Sequence, residues 1–386
     1  MPRRFNIERY ALMRWISLLF GKGEYLSTLS PSSFLLSIPN LRGELEKIEM
    51  ILVIKAQCRS RMARLVKVIK EILHRSARVV LAYFNLPMPS PKIIMIECTN
   101  KCNAQCIICP REKMTRKQGF MSFELFKKII DEAAYLKIRK VQLSNFGEPL
   151  LDPYLSKKIK YAQEQGLEIY LVTNGSLIDQ AMARNLILSG LDKIRISVYG
   201  ATKSTYESIH KRLQLNVVEG NIRNLISLKK GMASDKPYVE LQFMLCKETA
   251  SELQEFYRKW KGVADKITIA GLHNFGDGRS YIPMDRYKRI NTCYFPFTVM
   301  EVLWNGDVVP CAYDFNGCLK MGNVDENNID NIWNNERYRE LRRLQLTRRF
   351  SADLLCQRCH RNRVVSLGAK CLETSVFDLK TGNADE

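Results

Sequence analysis

The sequence predicts an α/β protein built on a parallel sheet. From residue 92 to 270 short apolar runs alternate with longer segments of helical pattern. Such a βα repeat folds as parallel strands joined by right-handed crossovers. Four of the runs end in loops carrying Cys, Gly, Asn or Ser, at the carboxyl ends of strands, where barrels and open α/β sheets place their sites.

Strands are expected over 92–97, 139–144, 167–172, 193–197, 237–245 and 266–270. Helices are expected over 122–136, 153–165, 178–190, 203–229 (with room for a break) and 250–261. Six strands are too few for the closed eight-stranded barrel. Pro87 to Pro91 reads as a stiff connector ahead of the first strand. Residues 271–292 read as a linker containing Gly276-Asp277-Gly278. Beyond it, Val299 to Leu303 and Val308 to Cys311 flank Trp304-Asn305-Gly306-Asp307. Asn-Gly between short apolar runs is a strong hairpin signal. One helix over about 328–345 is expected next.

Residues 1–91 read as a basic helical N-terminal extension. They hold 15 Lys or Arg against 6 Asp or Glu, a large share of the net charge of +20. From Lys55 to Arg78 there are eight basic residues and one acid, Glu71. Met62, Leu65, Val66, Ile69 and Leu73 recur near helical period, while Arg61, Arg64, Lys67 and Lys70 lie mostly off that face. One reading is a helix packed on the core with a solvated basic back. The other is an interfacial helix giving peripheral membrane contact. The charge suits an anionic surface such as phospholipid, phosphosugar or nucleic acid. Nucleic acid ranks behind the others, because no basic strand is interleaved with aromatics.

Hydrophobic residues at 46% and charged residues at 26% describe an ordinary globular chain. No run approaches the 18 or so apolar residues of a spanning helix, and no signal peptide is expected. Twelve cysteines, clustered rather than dispersed, argue for metal in a reducing compartment. The expected location is the cytoplasm, with the inner face of the membrane as the place of any peripheral contact.

Cys102, Cys106 and Cys109 sit directly after the apolar run Lys92 to Ile96. Spaced four and three apart, they can close on one cluster from a single loop. Three thiolates satisfy three irons of a [4Fe–4S] cube and leave the fourth open. A zinc site would want a fourth protein ligand close by. Gly147-Glu148-Pro149 follows the run Val141 to Ser144, Thr173-Asn174-Gly175 ends Ile169 to Val172, and Ser197-Val198-Tyr199-Gly200 ends Ile194 to Ile196.

These four segments, in this order, resemble the signature of the radical S-adenosylmethionine (radical SAM) enzymes over roughly residues 90–371. The resemblance implies an open, partial (β/α)6 barrel over 92–270. It also implies that SAM chelates the open iron and is cleaved on reduction to a 5′-deoxyadenosyl radical, which abstracts hydrogen from a substrate. The Gly147-Glu148-Pro149 segment would then bond the SAM amino group. Asn174 would lie near the ribose, and Ser197 would contact ribose or carboxylate. Relatives carry an Arg near position 210 for the SAM carboxylate. This chain has His210-Lys211-Arg212, and Arg212 is the candidate substitute. Ile108 stands where an aromatic residue is common.

Cys293, Cys311, Cys356 and Cys359 form a second constellation. With Met321-Gly322-Asn323-Val324 and Ile332-Trp333-Asn334, they resemble the SPASM and twitch extensions of the family, which hold auxiliary iron–sulfur clusters. Residues 293–386 are therefore expected to be a small α+β cluster-binding domain with one second [4Fe–4S] cluster. A structural zinc is the alternative. Cys318 and Cys371 are rival ligands, Cys318 chiefly for Cys311. Cys58, Cys98 and Cys246 are expected to ligate nothing, and His74, His273 and His360 to be isolated.

The resemblance implies an enzyme. A saturated second cluster suits oxidation of a sugar, cyclitol or lipid-linked molecule, with that cluster as electron acceptor. A peptide-modifying maturase is the first alternative, and a non-catalytic metal-binding module the second. The substrate partner is accordingly a small, lipid-linked or peptide molecule, and an electron donor such as flavodoxin or ferredoxin is implied. No Asp or Glu has a context that marks it as the general base.

Overall fold

In a computed structural model, the described residues are 73, 76–246, 248–275, 287–290, 292–351, 354–359 and 363–365. The chain divides into two compact units, Met1–Ser76 and Ala77–Glu386, and the second carries the sheet and both cysteine constellations. The expectations for residues 1–72, for Cys58, His74, His360 and Cys371, and for Gly276-Asp277-Gly278 lie outside the described residues. Among the described residues no helix is long and apolar enough to cross a membrane.

Six strands appear where the alternation places them: β1 Ile93–Ile96, β2 Lys140–Leu143, β3 Glu168–Thr173, β4 Lys193–Ser197, β5 Tyr238–Leu245 and β6 Lys266–Gly271. They pair in parallel and in chain order. The intervening helices are α1 Phe123–Tyr135, α2 Leu155–Glu164, α3 Gln180–Leu188, α4 Lys203–Ile209, α5 Leu215–Gly231 and α6 Leu253–Trp260. Ser122, Asp179 and Thr202 cap α1, α3 and α4, each accepting from a main-chain N–H three residues on. Such caps satisfy donors that the first helical turn leaves open.

Successive strand side chains point to opposite faces. Ile94, Ile96, Val141, Leu143, Ile169, Leu171, Ile194 and Ile196 are buried in one core with Phe126, Ile129, Ile159, Leu186 and Ile222 of the helices. Their neighbours Gln142, Tyr170, Arg195, Ser197 and Gln242 take the other face and make it polar.

The hairpin over Val299–Val302 (β7) and Asp307–Val309 (β8) does not form a separate layer. β7 pairs in parallel with β1, β8 with β7 in antiparallel, and Gly322–Asn323 (β9) with β8, giving one nine-stranded sheet. The expected helix 328–345 is two helices, α7 Ile329–Trp333 and α8 Glu336–Thr347. Asn334 ends the first, and the Asn335 side chain accepts from Tyr338 N to start the second. A short polar side chain favours capping over continuing a helix, which is why the Asn pair divides the segment.

Lys158 and Asp152 form an ion pair of 2.6 Å with both side chains fully buried. Lys158 Nζ also donates to Met121 O at 2.6 Å, joining α2 to the start of α1. Removing one partner of a buried pair strands the other charge. Lys158→Met is therefore expected to lower unfolding stability by about 3–5 kcal/mol in urea titrations, with the double variant Lys158→Met/Asp152→Asn recovering most of it. A single variant as stable as the parent would refute this account.

Candidate active site

The loop leaving β1 is held from several sides. Thr99 Oγ1 donates to Gly119 O at 2.6 Å, and Asn100, fully buried, bonds Lys117 O and Gly119 N. Beneath it, Glu97 takes a two-pronged ion pair from Arg116, whose Nε donates to Phe315 O. These contacts hold the loop backbone in place.

Gly147 is where the second motif meets this loop. A Cβ there would lie 1.9 Å from Thr99 O and 2.8 Å from Lys101 O, so only glycine fits. The next amide, Glu148 N, donates to Lys101 O at 2.8 Å. The Glu148 carboxylate faces the third motif, accepting from Thr173 Oγ1 at 2.6 Å, Asn174 N at 2.8 Å and Leu150 N at 3.1 Å. Burial pushes this carboxyl up to about 7, against the pull of those donors. Glu148 is thereby a bracket between two motifs, and Pro149, buried, opens the short turn that follows it.

Asn174 Nδ2 donates to Asn103 Oδ1 at 2.9 Å, and Asn103 Nδ2 to Ser176 Oγ at 2.9 Å. Asn103, inside the cysteine loop, is a positioning residue that the motifs alone do not single out. Asn221 supports the same corner through Gly175 O and Ser176 O. Ser197 ends β4 and accepts from Tyr199 OH at 3.1 Å. Arg212 is exposed, with a left-handed backbone at φ 74°. His210, two residues earlier, turns inward instead: its ring is buried, and Nδ1 stands 3.1 Å from Cys106 Sγ. Burial lowers its pKa to about 3, so the ring is neutral.

The three loop thiols stand near one another. Burial raises the pKa of Cys106 most, and the charges of Cys109 and Cys102 add to it. Cys102 is raised by burial too, with Cys109 a lesser contributor. Cys98, just past the end of β1, is buried, and its thiol is pushed up to about 12 by burial; it behaves as a core side chain.

The second constellation also converges. Cys311 is raised well above the usual thiol range by burial, and then by Cys356, Cys359 and Cys293. Cys356 is pushed up to about 12 by burial, and then by Cys359 and Cys293. Gln345, fully buried on α8, accepts from Cys293 N at 3.1 Å and donates to Cys356 Sγ at 3.3 Å. Cys318 is exposed, and burial and Asp314, rather than another thiol, shape its surroundings. His273, expected from the sequence to be isolated, lies with Nε2 3.5 Å from Cys359 Sγ. Phe275 N donates to its Nδ1 at 2.8 Å, which orients the ring.

Buried thiols that repel one another stay protonated unless cations join them, and metal ligation is what makes such thiolates stable. Three thiols would leave one iron of a [4Fe–4S] cube open, and four would saturate one. Cys102, Cys106 and Cys109 are the residues that would hold the first cluster, and Cys293, Cys311, Cys356 and Cys359 those that would hold the second.

Comparison with known proteins agrees. Residues 96–259 match the radical SAM superfamily, and residues 293–360 match the SPASM iron–sulfur cluster-binding domain. The chain belongs to the radical SAM superfamily and carries a SPASM domain; it is an enzyme that binds a [4Fe–4S] cluster, SAM and auxiliary iron–sulfur. It is 23% identical to the tungsten-containing aldehyde ferredoxin oxidoreductase cofactor-modifying protein of Pyrococcus furiosus, over 64% of this chain and 82% of that one. It is 22% identical to the S-adenosyl-L-methionine-dependent 2-deoxy-scyllo-inosamine dehydrogenase of Niallia circulans, over 69% of this chain and 92% of that one. The crystal structure of Streptococcus suis SuiB bound to S-adenosylmethionine shares the fold at a TM-score of 0.55 and 13% identity, covering 77% of this chain and 78% of that one.

Proposed function

We propose that this enzyme oxidises an alcohol carbon of a sugar, cyclitol or lipid-linked molecule to a carbonyl, with the second cluster taking up the electron. With SAM bound, one electron from a reduced donor such as flavodoxin or ferredoxin, passed through the first cluster, would release methionine and supply a 5′-deoxyadenosyl radical to remove the substrate hydrogen. A second cluster held by Cys293, Cys311, Cys356 and Cys359 would accept the remaining electron and a base the hydroxyl proton, leaving carbonyl, 5′-deoxyadenosine and methionine as products.

The convergence of Cys293, Cys311, Cys356 and Cys359 carries this reading. Four thiolates leave no iron open, so a cluster on them suits electron transfer rather than ligand binding. Two further observations support it. The polar face of the sheet offers Gln142, Ser144, Ser197 and Gln242, all half-buried, which suits hydroxyl groups better than an apolar chain. Asn145, one residue past that face, has a left-handed backbone at φ 113° and a side-chain amide whose buried atoms have no partner. Strain together with an unpaired buried amide is characteristic of a substrate contact. The cyclitol dehydrogenase, matched over most of its length, is consistent with this substrate class.

The residues holding SAM under this reading are the Gly147-Glu148-Pro149 segment, Asn174 and Ser197. Arg212 would need to fold inward to join them.

The test is anaerobic reconstitution with both clusters, followed by 2-deoxy-scyllo-inosamine, related cyclitols and the lipid and soluble fractions of a cell extract. The expected result is one carbonyl product per 5′-deoxyadenosine, with the second cluster gaining an electron in single-turnover EPR. A crosslinked or thioether-bridged peptide as the sole product would replace this reading with the peptide-modifying one.

A further inference from the structure

We infer that three side-chain N–H donors, His210, His273 and Gln345, tune the reduction potentials of the two clusters by hydrogen bonding to ligand sulfurs. The inference rests on the ligand sets assigned above.

His210 faces the first cluster. It is held opposite Cys106 by a two-residue antiparallel ribbon, Gln105–Cys106 against His210–Lys211. Its ring is stacked between Tyr199, with centroids 4.7 Å apart, and Tyr206, at 4.6 Å. A ligating thiolate can only accept, so the proton must sit on Nδ1, 3.1 Å away. The opposite nitrogen, Nε2, is buried and has no partner, so nothing competes to draw the ring the other way.

At the second cluster the protonation pattern follows from the other contacts. His273 Nδ1 accepts from Phe275 N, so in the neutral ring the proton is on Nε2, the nitrogen facing Cys359. The ring lies flat on Tyr313, with centroids 3.5 Å apart and planes 7° apart. Gln345 is oriented in the same way: its oxygen takes Cys293 N, which turns its NH2 to Cys356 Sγ. Each donor is thus fixed by a contact made on its far side or by stacking.

The reduced form of a cluster carries one more negative charge than the oxidised form. An N–H aimed at a ligand sulfur stabilises that charge more, so it raises the potential. Burial strengthens the effect, because the local dielectric is low. None of the three donors need touch SAM or substrate; they act through the cysteines they bond, as positioning and tuning residues.

The test is an EPR redox titration of the holoenzyme carrying both clusters. His210→Phe keeps a ring between the two tyrosines and removes the donor. His273→Phe keeps the stack on Tyr313, and Gln345→Leu keeps the bulk. Each is expected to shift only its own cluster to lower potential, cutting the reduced-to-oxidised ratio at a fixed potential about tenfold, or about 59 mV for one electron. His210→Asn places an amide donor near the Nδ1 position, and His273→Gln places one near Nε2. Both are expected to recover most of the shift. Unchanged potentials overturn the inference, as does an amide variant that behaves like the phenylalanine one. Failure to assemble a cluster in both His210→Phe and His210→Asn would make His210 a folding residue and overturn it as well. The ligand assignment is checked separately: Cys106→Ala with the iron of two full clusters would show that Cys106 is no ligand and overturn the inference for His210, while the His273 and Gln345 titrations still test the second cluster.

Discussion

Cys106→Ala is expected to lose SAM cleavage by more than 100-fold while the protein keeps about half of its iron. Altering groups that merely support a metal ligand already costs roughly 10–100-fold, and removing a ligand from a three-thiolate site goes further. The loop has no ready replacement. Cys98 is buried with its thiol pushed up to about 12, and the other loop thiols are already engaged in the site. The second set lies on different elements, so its cluster should survive. Iron and sulfide analysis, with 5′-deoxyadenosine formation under dithionite, checks both halves. Cleavage at the parental rate would show that Cys106 is no ligand.

Gly147→Ala is the second large effect. The added methyl would stand 1.9 Å from a main-chain oxygen, Thr99 O, in a loop already tied down through Thr99, Asn100 and Glu148. Backbone cannot swing aside as a flexible side chain can. Overpacking of this kind costs about 1–3 kcal/mol. The functional loss should be larger, because a displacement of about 1 Å at a reacting centre costs roughly 100-fold in rate. Slow 5′-deoxyadenosine formation, with a modest fall in the unfolding midpoint, is the expected pair of results. A parental rate would mean that the motif does not position the loop.

Much of the catalytic region was readable because its signals are local. Periodicity in the apolar runs placed β1 to β6 to within about two residues, in line with the usual reach of pattern reasoning at element ends. The spacing of Cys102, Cys106 and Cys109 needs no tertiary information, since one loop carries all three. Asn305-Gly306 announced its hairpin for the same reason.

Other features depend on contacts between distant segments. His210 could be seen beside Arg212 but not assigned to Cys106, because a two-residue ribbon makes that pairing. His273 looked isolated because Cys359 is far along the chain, and Phe275 N, which sets its tautomer, acts only once the turn has formed. Asn103 stands beside Cys102 in sequence, but its role comes from meeting Asn174 and Ser176 across the site.

By itself the sequence determined the βα repeat, the loop that gathers three thiols, the motifs at the strand ends and the candidates for a second thiol set. These follow from periodicity, spacing and turn chemistry, which act over a few residues. Only the tertiary structure decided that β7 pairs with β1, that Cys311 rather than Cys318 is buried beside the other three thiols, and which ring nitrogens face the sulfurs. Parallel pairing, burial and hydrogen-bond direction are set by partners from remote parts of the chain, and those partners come together only once the chain has folded.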